Sequence, residues 1–265
     1  MENYIKNYEL FEKKIIYDFK QGWGGIGDLI KFFMKTLSLC IKYNIKLYYK
    51  INNISIEKYI KLKYTKMYIR ENDIHRSYII KENEIPNINT DIYNIVEPFI
   101  FYNTFNYDDI LLNIKEVFYF SEEIKINSHN LLSDNISNYI SIHLRLGDKY
   151  LETNKYFVIC KNDERKYDEE ILFKCIEENY NKNVIFFCDN NNYKLKIKNK
   201  YNNIIILNSN IGHTSLSNTT EKQILDSVTE FYLLTNSYKI FSASDSGFSK
   251  IASKFNNTPL TNLLD

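Results

Sequence analysis

The sequence predicts an α/β fold of parallel, doubly wound sheets. Two observations predict it. Short β-rich runs alternate with amphipathic helical stretches near both ends of the chain, and turns rich in glycine or serine fall just after a run and just before a helix. Residues 13–19 (KKIIYDF) are the first run. The turn after it holds Gly22, Gly24, Gly25 and Gly27, four of the seven glycines in the chain. From 28 to 44, Leu29, Ile30, Phe33, Met34, Leu37, Cys40 and Ile41 recur at three- and four-residue spacing, one apolar face of a helix. Asp28 stands where an N-cap belongs. A second strand at 45–51 completes a βαβ opening.

The middle of the chain has a weaker rhythm. Residues 66–70, 77–81 and 99–103 read as candidate strands, and 107–120 as a helix. From 138 the alternation returns: strand 138–145, helix 168–180, strand 183–189, helix 191–201, strand 203–208, helix 220–236, strand 238–244 and helix 247–255. The boundary between two α/β halves is expected within 121–135, dividing the chain into 1–126 and 127–265.

Composition narrows the function. The chain is 44% hydrophobic and 25% charged with a net charge of +1, so bulk electrostatics predict no nucleic-acid or anionic-membrane partner. The abundance of Asn, Ile, Lys and Tyr reads as drift from an AT-rich genome, which raises the information in Gly, Arg, His, Trp and Pro. Cys40, Cys160, Cys175 and Cys188 form no C-x-x-C and no zinc spacing, so buried free thiols in a reducing compartment are expected. No signal peptide and no transmembrane run are read, and the expected location is the cytoplasm.

Gly22, Gly24 and Gly27 spell G-x-G-x-x-G, the pattern of a dinucleotide fingerprint. That reading also requires an acid at the end of the second strand to hold a ribose hydroxyl. The first acid after that strand is Glu57, too late for the role. The glycines then serve either as a tight turn or as backbone N–H groups, Gly24 and Gly25 above all, at a helix start suited to an anionic or polar ligand.

Three further places carry chemistry. In 140–150 (ISIHLRLGDKY), His143 and Arg145 share one face of a strand near its C-terminal end, where open α/β sheets bind ligands. Together they suit a diphosphate grip, or else a surface salt bridge beside a half-buried His. Ser246, Gly247 and Ser249 begin a helix and suit phosphate, or simple capping. Asp189 ends another strand, as a functional carboxylate or a helix cap.

In this order the pieces resemble the fucosyltransferase superfamily, which includes α1,2-, α1,6- and protein O-fucosyltransferases. Its early G-x-x-G-N loop is similar to Gly24-Gly25-Ile26-Gly27-Asp28, with Asp in place of Asn. Its H-x-R-x-x-D motif is similar to His143-Leu144-Arg145-Leu146-Gly147-Asp148, and Lys149 fits the α1,6 branch. Its later strand ending in Asp is similar to the run that ends at Asp189. Its last signature, an acid followed sixteen residues later by Ser-x-Phe, is similar to Glu230 with Ser246-Gly247-Phe248, Glu standing where Asp is usual.

The resemblance implies a GT-B-like fold, two Rossmann-like doubly wound halves facing across a cleft. It implies a metal-independent, inverting transfer of fucose, or a similar sugar, from GDP-fucose to a glycan hydroxyl, with no other cofactor. By the match, His143 and Arg145 hold the diphosphate and stabilise charge in the transition state, and Asp148 belongs to the donor-binding set. Glu230 approaches the guanine, and Ser246, Gly247, Phe248 and Asp189 line the nucleotide site. Gly24 and Gly25 approach donor or acceptor from the other half. Asp28 is the carboxylate nearest by motif position to a general-base role, or caps its helix. Two alternatives remain: a heptosyltransferase-like enzyme, suggested by GIGDLI (25–30), and a nucleotide- or sugar-binding module without turnover.

Overall fold

Each of two units is built on a sheet of five parallel strands. The computed structural model describes residues 1–132, 136, 138–151, 163–209 and 211–265. The units are Met1–Tyr119 and Phe120–Asp265.

The first unit opens with a short helix, α1 (Glu2–Asn7), and strand β1 (Lys14–Tyr17). Helix α2 (Ile26–Lys42) follows, then β2 (Lys46–Lys50), β3 (Ile60–Leu62), β4 (Tyr68–Ile69), β5 (Ser77–Ile79) and β6 (Tyr93–Val96). The sheet order is β4-β2-β1-β6-β5. The chain leaves β1 to one side through β2 and β4 and returns on the other through β5 and β6. The β1/β6 junction is therefore the switch point, the crevice where sheets of this type take ligands. The expected face of α2 is the buried one: Leu29, Ile30, Phe33, Met34, Leu37 and Cys40 are all inside. The helix begins two residues earlier than the sequence predicts, at Ile26, with Gly25 rather than Asp28 as its N-cap. Asn44, in the left-handed conformation (φ 55°), reverses the chain into β2.

Three expectations for the middle of the chain are corrected. Residues 107–120 form no α-helix. They make two 3-10 turns, Tyr107–Asp109 and Ile114–Glu116, and a short strand β7 (Phe118–Phe120). Asn106 and Asn113 are the cause: their side chains accept from the Asp108 and Lys115 N–H groups and start a new turn each time. Residues 99–103 are not a strand, because Pro98 heads a 3-10 turn through Phe101. In 66–70 only β4 is extended. Strand β6, next to the central β1, was not read from the sequence.

The second unit runs α3 (Glu122–Leu131), β8 (Ile140–Leu144), α4 (Glu169–Glu178), β9 (Val184–Cys188), α5 (Asn191–Lys200), β10 (Ile204–Ile206), α6 (Glu221–Asn236), β11 (Lys239–Ser242), α7 (Gly247–Asn256) and β12 (Leu260–Asn262). Its sheet order is β10-β9-β8-β11-β12. The chain moves outward from β8 to β10, then crosses to β11 and β12, so the switch point lies between β8 and β11. Ile140, Ile142 and Leu144 of β8 pack with Leu172 and Ile176 of α4 and Ile197 of α5. Elsewhere in the unit, Phe231 of α6 and Phe255 of α7 enclose Phe120, whose ring centroid lies 4.9 Å from that of Phe255. Helix α3, across which the sequence places a boundary between 126 and 127, is continuous and packs on α6, where Asn127 Nδ2 donates to Thr229 Oγ1 (2.9 Å).

Cys40, Cys175 and Cys188 are free and buried, and burial pushes each thiol up. Cys160 lies outside the described residues. Among the described residues, no helix is long and apolar enough to cross a membrane, and no group of three or more His, Cys, Asp or Glu side chains is arranged to hold a metal ion.

Candidate functional site

The two C-terminal motifs meet at the switch point of the second unit. Strand β8 delivers His143 beside Ser242 of β11, and α7 begins a few residues after that strand. His143 Nδ1 lies 2.6 Å from Ser249 Oγ, 106 residues away in sequence. The imidazole stacks on Phe248 (5.3 Å, 25°), and Phe248 sets an edge against Phe231 at 4.9 Å. Ser242 Oγ donates to the Ser244 carbonyl (2.8 Å) and lies 3.0 Å from Ser249 Oγ, so the imidazole joins a chain of buried hydroxyls.

His143 is neutral at neutral pH. Burial, reinforced by the positive charges of Arg145 and Lys194, pushes its pKa from 6.5 down to about 3. The shift has a measurable consequence. Below pH 6.5 the unfolded chain binds a proton that the folded chain refuses until about pH 3. Stability then falls with pH through that window by about 1.4 kcal/mol per pH unit from this group. Urea unfolding at a series of pH values is expected to show this slope, and His143→Asn to reduce it.

Arg145 sits one residue beyond β8. Its backbone N–H donates to Ser244 Oγ (2.9 Å). Its guanidinium pairs with Asp148, with Asp189 at 3.4 Å and with Asp163 at 3.9 Å. Arg165 holds the other side of Asp163 (2.8 Å). Among the described residues, two cations thus face three carboxylates, which hold the guanidinium in place. Asp148, a candidate for touching the nucleotide, has its carboxylate on Arg145. Asp189 is not the cap of α5, since Asn190 Oδ1 takes that place by accepting the Tyr193 N–H. The Asp189 carboxylate instead accepts from the N–H groups of Leu146 (2.8 Å) and Gly147 (3.1 Å), clamping the turn after β8. Gly147 has φ 111°, and a Cβ there would run into the Asp163 carbonyl.

Glu230 is buried in α6, with Oε1 2.6 Å from the ammonium of Lys194 and hydrogen-bonded to Ser209. Lys194 also donates to Ser209 (2.9 Å). The sequence reading missed Lys194, one of many lysines in a Lys- and Asn-rich stretch; a signal was available in its spacing, since it shares an α5 face with the buried Ile197. Ser246 is the N-cap residue of α7 and makes no side-chain cap bond. Gly247 and Phe248 form the first turn behind it.

In the first unit the glycine loop follows β1. Gly24 has φ 134°, and a Cβ on it would stand 2.5 Å from Asp28 Oδ2. Asp28 Oδ2 accepts the Gly25 N–H (3.1 Å), while Oδ1 pairs with Lys31 (2.6 Å). The Asp28 carboxylate is thus engaged in starting α2. Gly24→Ala is expected to destabilise the chain by about 1–3 kcal/mol, read as a lower urea midpoint. Glu57, the late acid after β2, is turned onto the Tyr49 hydroxyl (2.9 Å) and the Asn52 N–H (3.2 Å).

No protein-family model and no curated protein matches the sequence. Solved structures do match the fold. The α1,6-fucosyltransferase NodZ soaked with GDP-fucose is similar with a TM-score of 0.57 at 11% identity, covering 92% of each chain; NodZ structures of this kind come from Bradyrhizobium. A variant of Arabidopsis thaliana FUT1 in complex with GDP is similar with a TM-score of 0.57 at 9% identity, over 99% of this chain and 74% of that one. POFUT1 in complex with GDP gives 0.57 at 11% identity, over 95% and 98%. The parallel α/β architecture of this chain is the fold of these fucosyltransferases.

Proposed function

We propose that the protein is a glycosyltransferase that moves fucose, or a closely similar sugar, from a GDP-sugar to a hydroxyl of a glycan, with inversion and without a metal ion. The observation that carries this reading is the meeting of the His143–Arg145 strand end with the Ser246–Ser249 helix start at the β8/β11 switch point. The reading draws further support from the shared fold, since several of the similar structures hold GDP or GDP-fucose.

In the reaction, the acceptor oxygen forms a bond to the anomeric carbon as the bond from that carbon to the β-phosphate oxygen breaks. The acceptor proton leaves to solvent or a base, and GDP departs with the electron pair. Negative charge grows on the leaving phosphate. Arg145, fixed by Asp148 and Asp189, is set to stabilise it without reorganising. The N–H groups at the start of α7 add the positive end of a helix dipole. His143, held by Ser249 and Phe248, orients this corner as a neutral ring.

A thermal-shift panel of GDP-, UDP-, ADP- and CMP-sugars tests the proposal. A GDP-sugar at a hundred times its dissociation constant is expected to add about 2.7 kcal/mol of stability, and the other nucleotides little. Stabilisation by a UDP-, ADP- or CMP-sugar and not by a GDP-sugar would overturn the reading. GDP binding with no transfer to any glycan would favour a binding module.

A further inference from the structure

The switch point of the first unit carries an aromatic wall that the nucleotide reading does not use. The loop after β1 supplies Trp23, the only tryptophan of the chain. The turn after β6 supplies Phe99 and Tyr102. Trp23 and Phe99 meet edge to face at 5.2 Å, and Phe99 and Tyr102 lie near parallel at 6.4 Å. Phe99 is 47% and Tyr102 64% exposed. Rings of this size left open side by side mark a binding surface more often than isolated exposed residues do.

The charges around the wall are already paired. Lys20 stands 4.8 Å over the Trp23 ring and bonds Asp18 at 3.2 Å. Lys31 stands 4.5 Å over Phe32, within 6 Å of Tyr102, and bonds Asp28 at 2.6 Å. The surface therefore offers exposed aromatic rings with ion-paired polar groups over and beside them. A sugar ring fits this pattern: one face is C–H and packs on an aromatic ring, while its edge carries hydroxyls for the carboxylate and ammonium groups alongside.

We infer that Trp23, Phe99 and Tyr102 form a binding subsite for a neutral sugar residue, which in the transfer reading is a residue of the acceptor glycan. The assignment of that residue to the acceptor rests on the proposed function; the binding of a neutral sugar does not. Asp28 and Lys31, locked together at the head of α2, present oxygen and nitrogen to its hydroxyls. This gives the glycine loop a purpose beyond its turn, since Gly22 (φ 92°) and Gly24 (φ 134°) set the path of the loop on either side of Trp23.

The single tryptophan makes the site directly observable. Full-length protein is excited selectively at the indole and titrated with methyl glycosides of glucose, galactose, mannose and N-acetylglucosamine and with their disaccharides. At least one is expected to change Trp23 emission saturably. Tyr102→Ala and Phe99→Ala, both at exposed positions, are each expected to weaken that binding by roughly tenfold, while the thermal shift with GDP stays at the wild-type value. The inference is overturned if no glycoside alters Trp23 emission, if both variants bind as wild type, or if only inorganic pyrophosphate produces a response. Failure of GDP to bind the wild-type protein would instead remove the proposed function and leave the sugar titration standing.

Discussion

Arg145→Ala is expected to lower sugar transfer by about a hundred- to a thousandfold. The guanidinium lies just beyond the C-terminal end of β8, where Asp148, Asp163 and Asp189 hold it, and in the proposed reaction it meets the leaving diphosphate. The same carboxylates complicate the variant. Asp148 and Asp189 are buried, and removing the guanidinium leaves them facing each other. Stability should fall as well, by about 3–5 kcal/mol if the pairs behave as buried ion pairs. Arg145→Lys separates the two effects. It keeps the charge and much of the stability but loses the planar fork that bonds two oxygens at once. Its transfer rate is expected between those of wild type and Arg145→Ala, with a urea midpoint close to wild type. Single-turnover transfer rates and unfolding curves on the same preparations check both parts.

Lys194→Met is expected to cost about 3–5 kcal/mol of folding stability. Lys194 is 1% exposed and Glu230 5%, and the ammonium sits 2.6 Å from the carboxylate. Without it Glu230 keeps, among the described residues, the neutral Ser209 in an interior that disfavours charge. Lys194→Met combined with Glu230→Leu is expected to recover most of the loss, because an apolar pair of similar volume carries no desolvation penalty. Urea unfolding of the single and double variants measures the difference. A third variant bears on base recognition. If the Glu230 carboxylate reads the guanine, Glu230→Gln lowers GDP affinity while Lys194 stays in place.

The parts of the fold that were legible are those where one short pattern determines the outcome. Helix α2 could be read because its apolar residues repeat over four turns on one face, and β8, β9 and α6 for similar reasons. The middle of the first unit was not legible. There Asn106 and Asn113 break the chain through local side-chain bonds that override the helical spacing of 107–120, and β6 is only four residues long. The same division runs through the site. His143 and Arg145 could be singled out because rare residue types alternate on one strand. The pairings could not: Ser249, read as a phosphate or capping residue, reaches His143 across 106 residues, and Lys194, unmarked among many lysines, reaches Glu230 across 36. Asp28 and Asp189 show the intermediate case. Both stand out as carboxylates, but only the fold shows Asp28 on the Gly25 N–H and Asp189 on those of Leu146 and Gly147.

The most direct test of the central reading is to incubate the protein with GDP-fucose carrying a radiolabel in the sugar, together with a mixed glycan pool, and to follow the label. The account predicts that label passes to glycan as GDP appears in equal amount, and that Arg145→Lys slows both together. Label that stays on the nucleotide, while a UDP-, ADP- or CMP-sugar is consumed under the same conditions, would contradict it.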